Sequence, residues 1–410
     1  MHILESYALQ NDLKIDKPVI FERFFPLAVE DYVTIDTSTL GTSSLAYDHW
    51  QQIVDLISPV LNAKKISIIQ LGDKQDKPLT SCYMAIGQCN FNQKAYVIKG
   101  SKLHISTNNE SMHLASHYNK KTVALFPDNC FPEQFFPYWS AEEDVEIFSP
   151  ESKNKPSFNP NENPKSINKI RPEDVAFKIL DLMGISAFSP EYKTLRIGNS
   201  FYRPRIESTL THLLDPKKLN VSSIIIRMDL SFNEEALKAQ LEACPCSVIT
   251  NRPFNHDILD KYSSKIAELV YYIEEDDPDG VAFVSKAREK SINLLLRSRA
   301  GDEEISDYKL AYFDYGLVHQ IPRKTQDDFP ELKGKKNLYY KSKHFIIHNT
   351  KFYPCSAALL GDEFFNLTVE DPSKRQNSGF ATMEHDPQPV IDDPLFWEEE
   401  EHLHFFEKNS

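Results

Sequence analysis

The chain has 410 residues, enough for two domains with cores of their own, and its 41% hydrophobic and 26% charged content is typical of a soluble globular protein. Its formal net charge of −14 repels nucleic-acid phosphates, which argues against nucleic acid as a partner without excluding it. Apolar runs such as Ser223–Ile226 are far shorter than a bilayer span, and the first residues lack the pattern of a signal peptide, so we expect neither feature.

The first elements along the chain predict a parallel sheet. Residues 1–18 form an N-terminal arm, and residues 19–188 form the first predicted domain. Tyr32–Asp36 reads as its first strand, Tyr47–Leu61 as a helix with apolar residues at helical spacing, and Ile66–Leu71 as the second strand. This order of strand, helix and strand indicates a doubly wound α/β sheet.

A second stretch of alternating elements, Ala95–Pro127, contains the strongest functional signal. A helix ends near Gly100, and a strand follows at Leu103–Ser106. The polar turn Thr107–Ser111 precedes a helix that starts near Met112, and the next strand ends at Phe126. Anionic groups bind between a strand's carboxyl end and a helix N-terminus, because free N–H groups and the helix dipole point there. The sequence therefore predicts an anion site at this turn.

The same stretch resembles a known family. Met112–Ala115 reads Met-His-Leu-Ala and Val123–Phe126 reads Val-Ala-Leu-Phe, as in the nucleotide-sugar-binding half of the family 9 glycosyltransferases, the ADP-heptose:lipopolysaccharide heptosyltransferases. The resemblance covers roughly residues 30–183. It implies a GT-B-like fold of two Rossmann-like domains, a nucleotide-diphosphate sugar as donor substrate, no cofactor, and a metal-independent transfer.

Two positions depart from the family pattern. The Asp, Thr/Ser and Gly of the family's turn fall on Asn108, Asn109 and Glu110, so that a carboxylate stands where a diphosphate would approach. The family's lysine near the first helix is also missing, at about Leu45. These departures motivate an alternative, a catalytically degenerate relative that serves as a binding or scaffold protein.

The candidate ligand-binding residues combine the hydroxyl-rich loop after the first strand, the end of the second strand, and the polar turn. Hydroxyl and amide groups can donate to phosphate oxygens, and the resemblance implies the same for the histidine. Ser38 and Ser111 could instead be simple helix caps, and His113 a core histidine. The candidates are Thr37, Ser38, Thr39, Gly41, Gln70, Gly72, Asn108, Asn109, Ser111, Met112 and His113.

Residues 189–370 form the second predicted domain, in which strands and helices alternate again. The pattern predicts a second Rossmann-like, doubly wound sheet that would face the first across a cleft, with the donor-like domain first in the chain. The predicted strands are Thr194–Gly198, Ser223–Met228, Ser247–Thr250, Leu269–Ile273 and Asn293–Arg297. Residues 371–410 read as an acidic tail with a docked terminal helix that presents Phe396, Leu403 and Phe406 on one face.

Sugar transfer also needs a group that deprotonates the acceptor hydroxyl. Asp229 follows a buried strand of the second domain, and Asp36 ends the first strand of the first domain, so these two are the candidate bases. Glu207 and His256 are alternatives in similar loops. No spacing of His, Cys, Asp or Glu predicts a metal site, and the six cysteines favour a reducing, cytoplasmic compartment.

The sequence thus predicts a cytoplasmic glycosyltransferase that moves a sugar from a nucleotide-diphosphate sugar to a glycan, a lipopolysaccharide or another hydroxyl acceptor. The degenerate binding protein is the first alternative, and a transferase that modifies DNA bases is a further one. The donor sugar, its base, the acceptor and the oligomeric state are left open.

Overall fold

The computed structural model describes the chain except for Leu40 and residues 151–158, 163–164, 186–189, 204, 212, 217–222, 276–277, 365–367, 370–382 and 409–410. The chain divides into a first unit, Met1–Thr194, and a second unit, Leu195–Lys408. The predicted domain boundaries at residues 188–189 and 370–371 lie outside the described residues. None of the helices described is long and apolar enough to cross a membrane.

A six-stranded parallel sheet forms the first unit, with the strand order β3-β2-β1-β4-β5-β6. This is the order that defines the Rossmann fold, in which the chain direction across the sheet reverses between β1 and β4. The predicted α/β class with parallel strands is confirmed. The strands are β1 Tyr32–Asp36, β2 Ser67–Leu71, β3 Tyr83–Met84, β4 Leu103–Thr107, β5 Lys121–Leu125 and β6 Val145–Phe148.

Helices cover both faces of this sheet because alternate residues of each strand point to opposite sides. Val33 and Ile35 pack in one core with α2 and α6, as their burial in one cluster shows, while Tyr32 and Leu71 pack in another with α3 and α4. The helices are α1 Ile3–Gln10, α2 Trp50–Ala63, α3 Phe91–Gly100, α4 Glu110–His117, α5 Pro132–Phe135 and α6 Pro172–Leu182.

An eight-stranded sheet dominates the second unit, with the order β13-β12-β11-β10-β9-β8-β15-β16. Neighbouring strands are parallel except at the edge, where β15 and β16 form an antiparallel hairpin that turns at Asn349 and Thr350. The strands are β8 Arg205–Ser208, β9 Ile225–Arg227, β10 Cys246–Thr250, β11 Ile266–Tyr272, β12 Leu294–Ser298, β13 Val318–Gln320, β15 His344–His348 and β16 Lys351–Tyr353.

In the second sheet the chain first runs from β8 outward to β13 and then returns to β15 on the other side of β8. From β8 to β13 the chain steps across the sheet in one direction, and right-handed crossovers place connecting helices on the same face. One continuous core accordingly joins that face to the four crossover helices that the structure describes. These helices are α7 Glu234–Ala243, α8 His256–Tyr262, α9 Pro278–Glu289 and α10 Asp302–Ala311.

The C-terminal residues form a strand where a helix was predicted. The short α11 Ser356–Leu360 and α12 Pro394–Glu398 are helical, but β20 Leu403–Lys408 pairs with β14 Leu338–Ser342 in a separate sheet. That sheet has the order β19-β14-β20-β7, with β7 Tyr192–Ile197 and β19 Gln388–Pro389 at its edges. The predicted first strand of the second parallel sheet, at Thr194–Gly198, therefore belongs to this sheet. A further antiparallel pair is formed by β17 Thr368–Val369 and β18 Met383–Glu384.

The reason for the error is that β20 is buried on both faces. Leu403, His404 and Phe405 are all buried, so no alternation marks the segment as a strand. Its partner lies some 60 residues earlier in the chain, which local periodicity does not report.

We predict that Phe405→Ala strongly destabilises the second unit. Phe405 is fully buried and its ring stacks on Trp397 at 5.6 Å between centroids, so truncation leaves a cavity in that core. The free energy of unfolding should fall by about 3–5 kcal/mol in urea titrations. Glu401→Ala, at an exposed position next to the strand, is the control and should change it by less than about 0.5 kcal/mol. A loss below 1 kcal/mol for Phe405→Ala would contradict the packing described.

Candidate functional site

The predicted site residues of the first unit gather where the sheet reverses direction. β1 ends at Asp36 and β4 ends at Thr107, and Asp36 pairs in register with Ser106 of β4. Ligands of open α/β sheets bind at this place, outside the carboxyl ends of the two strands that flank the reversal. The first turn of α4 follows directly, so its N-terminus faces the same edge.

Asp36 is the centre of a buried hydrogen-bond network. Its Oδ1 accepts from the backbone N–H of Ser38 at 2.9 Å and from the Ser38 hydroxyl at 2.6 Å, and its Oδ2 accepts from the Ser111 hydroxyl. The Lys94 Nζ lies 3.4 Å from the same Oδ2. Burial alone would raise the pKa of Asp36, but Lys94 and these hydrogen bonds hold it below its ordinary value. Asp36 therefore ties β1 to its own loop and to α4.

Asn109 caps α4 from within the protein. Its Oδ1 accepts from the N–H groups of Ser111 at 3.0 Å and Met112 at 3.2 Å, and its Nδ2 donates to the carbonyl and hydroxyl of Ser38, both at 3.3 Å. Two of the N–H groups that a bound phosphate could use are thus already satisfied. The N-cap of α4 is therefore Asn109. The hydroxyls of Ser38 and Ser111 donate to Asp36, so neither serine is the helix cap that the sequence left open as an alternative.

Lys94 is the functional candidate that sequence reasoning missed. Its side chain is only 6% exposed, and its Nζ lies 3.1 Å from Glu110 Oε1 as well as close to Asp36. Burial by itself would lower the pKa of Lys94, but these two carboxylates raise it above its ordinary value. A signal existed in the sequence: Lys94 stands four residues before the buried Ile98, on the inward face of α3.

A second network holds the loop at the end of β2. Gln70 is fully buried; its amide donates to the Thr37 hydroxyl at 3.2 Å and accepts from the Leu79 N–H at 2.7 Å. The Thr37 hydroxyl donates to Asp76 Oδ2 at 3.2 Å. A Cβ at Gly72 would collide with that carboxylate, which explains the glycine. Thr37, Gln70 and Gly72 thus shape the loop.

The remaining candidate ligand-binding residues differ in their exposure to solvent; the accessible ones are called the rim below. Thr39, Asn108 and His113 are half-buried and Gly41 is exposed, so all four are accessible to solvent. Burial, with a smaller contribution from His2, lowers the pKa of His113, which favours its neutral form. Met112, by contrast, is fully buried in an apolar cluster.

Two hydroxyls of β4 stand out because they are buried without a partner. Ser106 Oγ and Thr107 Oγ1 make no hydrogen bond among the described residues, although both side chains are inaccessible to solvent. Buried polar groups are rarely left without a hydrogen bond. At the edge of the sheet where β1 and β4 end, these two hydroxyls could therefore bond to a bound water or ligand.

The loop after β1 is anchored by a distant segment that includes a lysine. Lys165 Nζ donates to the Ala46 carbonyl at 2.8 Å and to Asp48 Oδ1 at 2.6 Å. The Ser43 hydroxyl donates to the Pro160 carbonyl at 3.1 Å. A cation thus lies beside the position near Leu45 where the family's lysine is missing, supplied from 120 residues further along the chain.

Asp229 of the second unit lies in an ion-pair cluster. Both of its carboxylate oxygens accept from the Arg227 guanidinium at 2.8 Å, and its side chain is 6% exposed. Arg227 also donates to Glu207 at 2.6 Å. Burial alone would raise the pKa of Glu207, but His344 and Arg227 hold it well below its usual range. His256 lies apart from this cluster, exposed at the start of α8.

In the described part of the chain, no three His, Cys, Asp or Glu side chains are arranged to hold a metal ion.

Comparison with known proteins adds distant structural neighbours. No protein-family model matches the sequence, and no curated protein matches it. Similar solved structures include ADP-heptose lipopolysaccharide heptosyltransferase II of E. coli (17% identity, TM-score 0.30, 44% of this chain and 50% of that one). A family 9 glycosyl transferase of Veillonella parvula is another, with 14% identity and a TM-score of 0.31 over 37% of this chain and 46% of that one. A third is the iron-containing dodecameric glycosyltransferase TibC of enterotoxigenic E. coli, with 12% identity and a TM-score of 0.29 over 41% of this chain and 49% of that one.

The chain spans about half the length of these solved structures. Family 9 glycosyltransferases, the family that the sequence resembles in one half, are thus among the solved structures to which this chain is similar.

We predict that His104, which pairs in register with Thr34 two residues before Asp36, destabilises the first unit at low pH. Its Nδ1 lies 2.9 Å from the Thr34 hydroxyl, and burial lowers its pKa from 6.5 to about 4. The unfolded chain binds the proton first, so the free energy of unfolding falls as the pH drops from 6.5 to 4, by about 3 kcal/mol for this group.

His104→Asn should reduce that pH-dependent loss by about the same amount, because an amide can still pair with Thr34 and does not titrate. Urea titrations at several pH values measure it. The exposed His256→Asn is the control and should leave the pH profile unchanged. Identical profiles for His104→Asn and the unaltered protein would contradict the prediction.

Proposed function

We propose that the chain is a glycosyltransferase whose first unit binds a nucleotide-diphosphate sugar at the reversal between β1 and β4. The observation that carries the proposal is the convergence of four features at this edge: the hydroxyl loop, the α4 N-terminus, the buried Lys94, and the unpartnered hydroxyls of Ser106 and Thr107. The sequence resemblance to the nucleotide-sugar-binding half of family 9 supports the choice of ligand. The proposed acceptor is a hydroxyl of a glycan or lipopolysaccharide, and the proposed compartment is the cytoplasm.

The residues take different parts in this proposal. Asp36 acts as the anchor of the loop and of α4, because a fully buried carboxylate that accepts three hydrogen bonds cannot reach an acceptor hydroxyl. Thr39, Asn108 and His113 on the rim contact the donor. His113, neutral at pH 7, can both accept and donate a hydrogen bond to the diphosphate or the sugar.

The proposed transfer proceeds without a metal ion. Cationic and N–H groups of the protein then have to offset the charge of the departing nucleotide diphosphate. Lys94 and the dipole of α4 are the groups at this edge that can do so. Asp229 remains the proposed base of the second unit, and its use requires Arg227 to release one of its oxygens.

A non-catalytic nucleotide-sugar-binding protein is the second candidate. The observation that favours it is that both predicted catalytic carboxylates are engaged, Asp36 with Lys94 and Asp229 with Arg227. Release of nucleoside diphosphate from a nucleotide sugar, with or without an added glycan, separates the two candidates. Release above the buffer background supports the transferase, whereas binding without any release supports the second candidate.

We predict that calorimetric titration with ADP, UDP and GDP and their sugar conjugates detects binding of at least one of them. His113→Ala should weaken that binding by about tenfold or more, the effect of losing one hydrogen bond to a charged group. His117→Ala, one turn further along α4, is the matched control and should bind as the unaltered chain does. Absence of binding to every probe would refute the proposal, and equal losses in the two variants would remove His113 from the site.

A further inference from the structure

Lys94 has two counter-ions that differ sharply in how they are held. Asp36 is fully buried and accepts three hydrogen bonds besides its contact with Lys94. Glu110 is 41% exposed, and its one described contact of this kind is the 3.1 Å pair with the Lys94 Nζ. Asp36 alone neutralises the buried ammonium, so the fold does not require Glu110 at this position.

The ammonium of Lys94 nevertheless lies at the edge of the sheet where β1 and β4 end, which is the proposed ligand site. Asp36 Oδ2 is shared between Lys94 Nζ and the hydroxyl of Ser111, the second residue of α4, so the cation sits beside the first turn of that helix. An ammonium has three donors, of which Asp36 and Glu110 account for two. The positive end of the helix dipole acts at the same place. Cation and dipole together form a subsite for a negatively charged oxygen.

We propose that Glu110 occupies this subsite as an internal stand-in for a phosphate oxygen, and that a bound diphosphate displaces it from Lys94. The inference rests on the proposed function, which it extends by naming the atoms that receive the diphosphate. Carboxylate and phosphate oxygens carry the same charge sign and accept the same charge-assisted hydrogen bonds from an ammonium. Glu110 is the exposed partner of this pair and makes no other described ion pair, so its carboxylate can turn out to solvent and be exchanged for a ligand oxygen.

The charged groups around the subsite determine how strongly Glu110 competes with a diphosphate for Lys94. Asp36 and Glu110 carry two negative charges against the single positive charge of Lys94, and Asp76 and Asp73 lie at the end of the neighbouring strand β2. A diphosphate therefore binds only when Glu110 withdraws. The apparent affinity is lowered by the fraction of molecules in which Glu110 covers the subsite.

The experiment titrates inorganic pyrophosphate and, separately, the nucleoside diphosphates into the full chain by calorimetry, in the unaltered protein and in Glu110→Gln. The glutamine keeps the size of the side chain but removes its charge, so the affinity should rise by about fivefold or more. Glu30→Gln is the matched control, because Glu30 is exposed and precedes β1 at the opposite, amino end of the strands. It makes the same change in net charge and should leave the affinity unchanged.

A second arm attributes the gain to Lys94. Asp36→Asn with Lys94→Met removes both buried charges together, which avoids stranding either one, and circular dichroism checks the fold. Added to Glu110→Gln, this pair should abolish the gain in affinity. Survival of the gain in a folded protein would overturn the proposal.

Other outcomes separate this inference from the proposed function. If the unaltered protein binds a probe and Glu110→Gln binds it no more tightly, the stand-in role is refuted and the nucleotide site stands. If neither protein binds any probe, the proposed function is refuted and this inference falls with it. An equal gain in Glu30→Gln would show a general charge effect and would also refute it.

Discussion

The first unit is organised around one buried charge. Asp36 ends β1 with no exposure to solvent, and an unpaired carboxylate there would cost several kcal/mol, so its oxygens must be met by donors. Lys94 of α3, Ser38 of the following loop and Ser111 of α4 supply them. One carboxylate therefore fixes the relative positions of a strand, a loop and two helices. The loop and the α4 N-terminus, which form the ligand edge, take their places from this constraint.

In this hydrogen-bond network, some of the candidate residues have a different role from the one that the sequence suggested. Asp36 looked like a base because it ends a strand at a sheet edge, but its oxygens face inward to donors. Asn109 looked like a ligand group but caps α4. Of the predicted residues, Thr39, Gly41, Asn108 and His113 are the ones that solvent can reach, and Lys94 pairs with Asp36 and with the exposed Glu110. The network thus fixes the N-terminus of α4 and the ammonium of Lys94 at the reversal of the sheet. In folds of this kind, anionic ligands generally bind at that place.

Much of the first unit follows from sequence because its signals are local. The strand β4, the polar turn after it and α4 were predicted within one or two residues, since apolar runs and the polar turn mark their limits. Lys94 was missed because a helical lysine is normally solvated, and its burial depends on Asp36 in a strand 58 residues earlier. The prediction for β20 failed for a related reason: its pairing depends on β14, which lies far away in the chain.

The central claim is that a nucleotide diphosphate binds at the reversal between β1 and β4. Hydrogen–deuterium exchange with mass spectrometry, recorded with and without the tightest-binding nucleoside diphosphate, tests it without altering the protein. Exchange should slow in peptides covering the loop 37–44 and the turn and first helical residues 108–113, and should not change in the antiparallel strands 338–342 and 403–408. Slowed exchange confined to other segments, with none at the first two, would contradict the account.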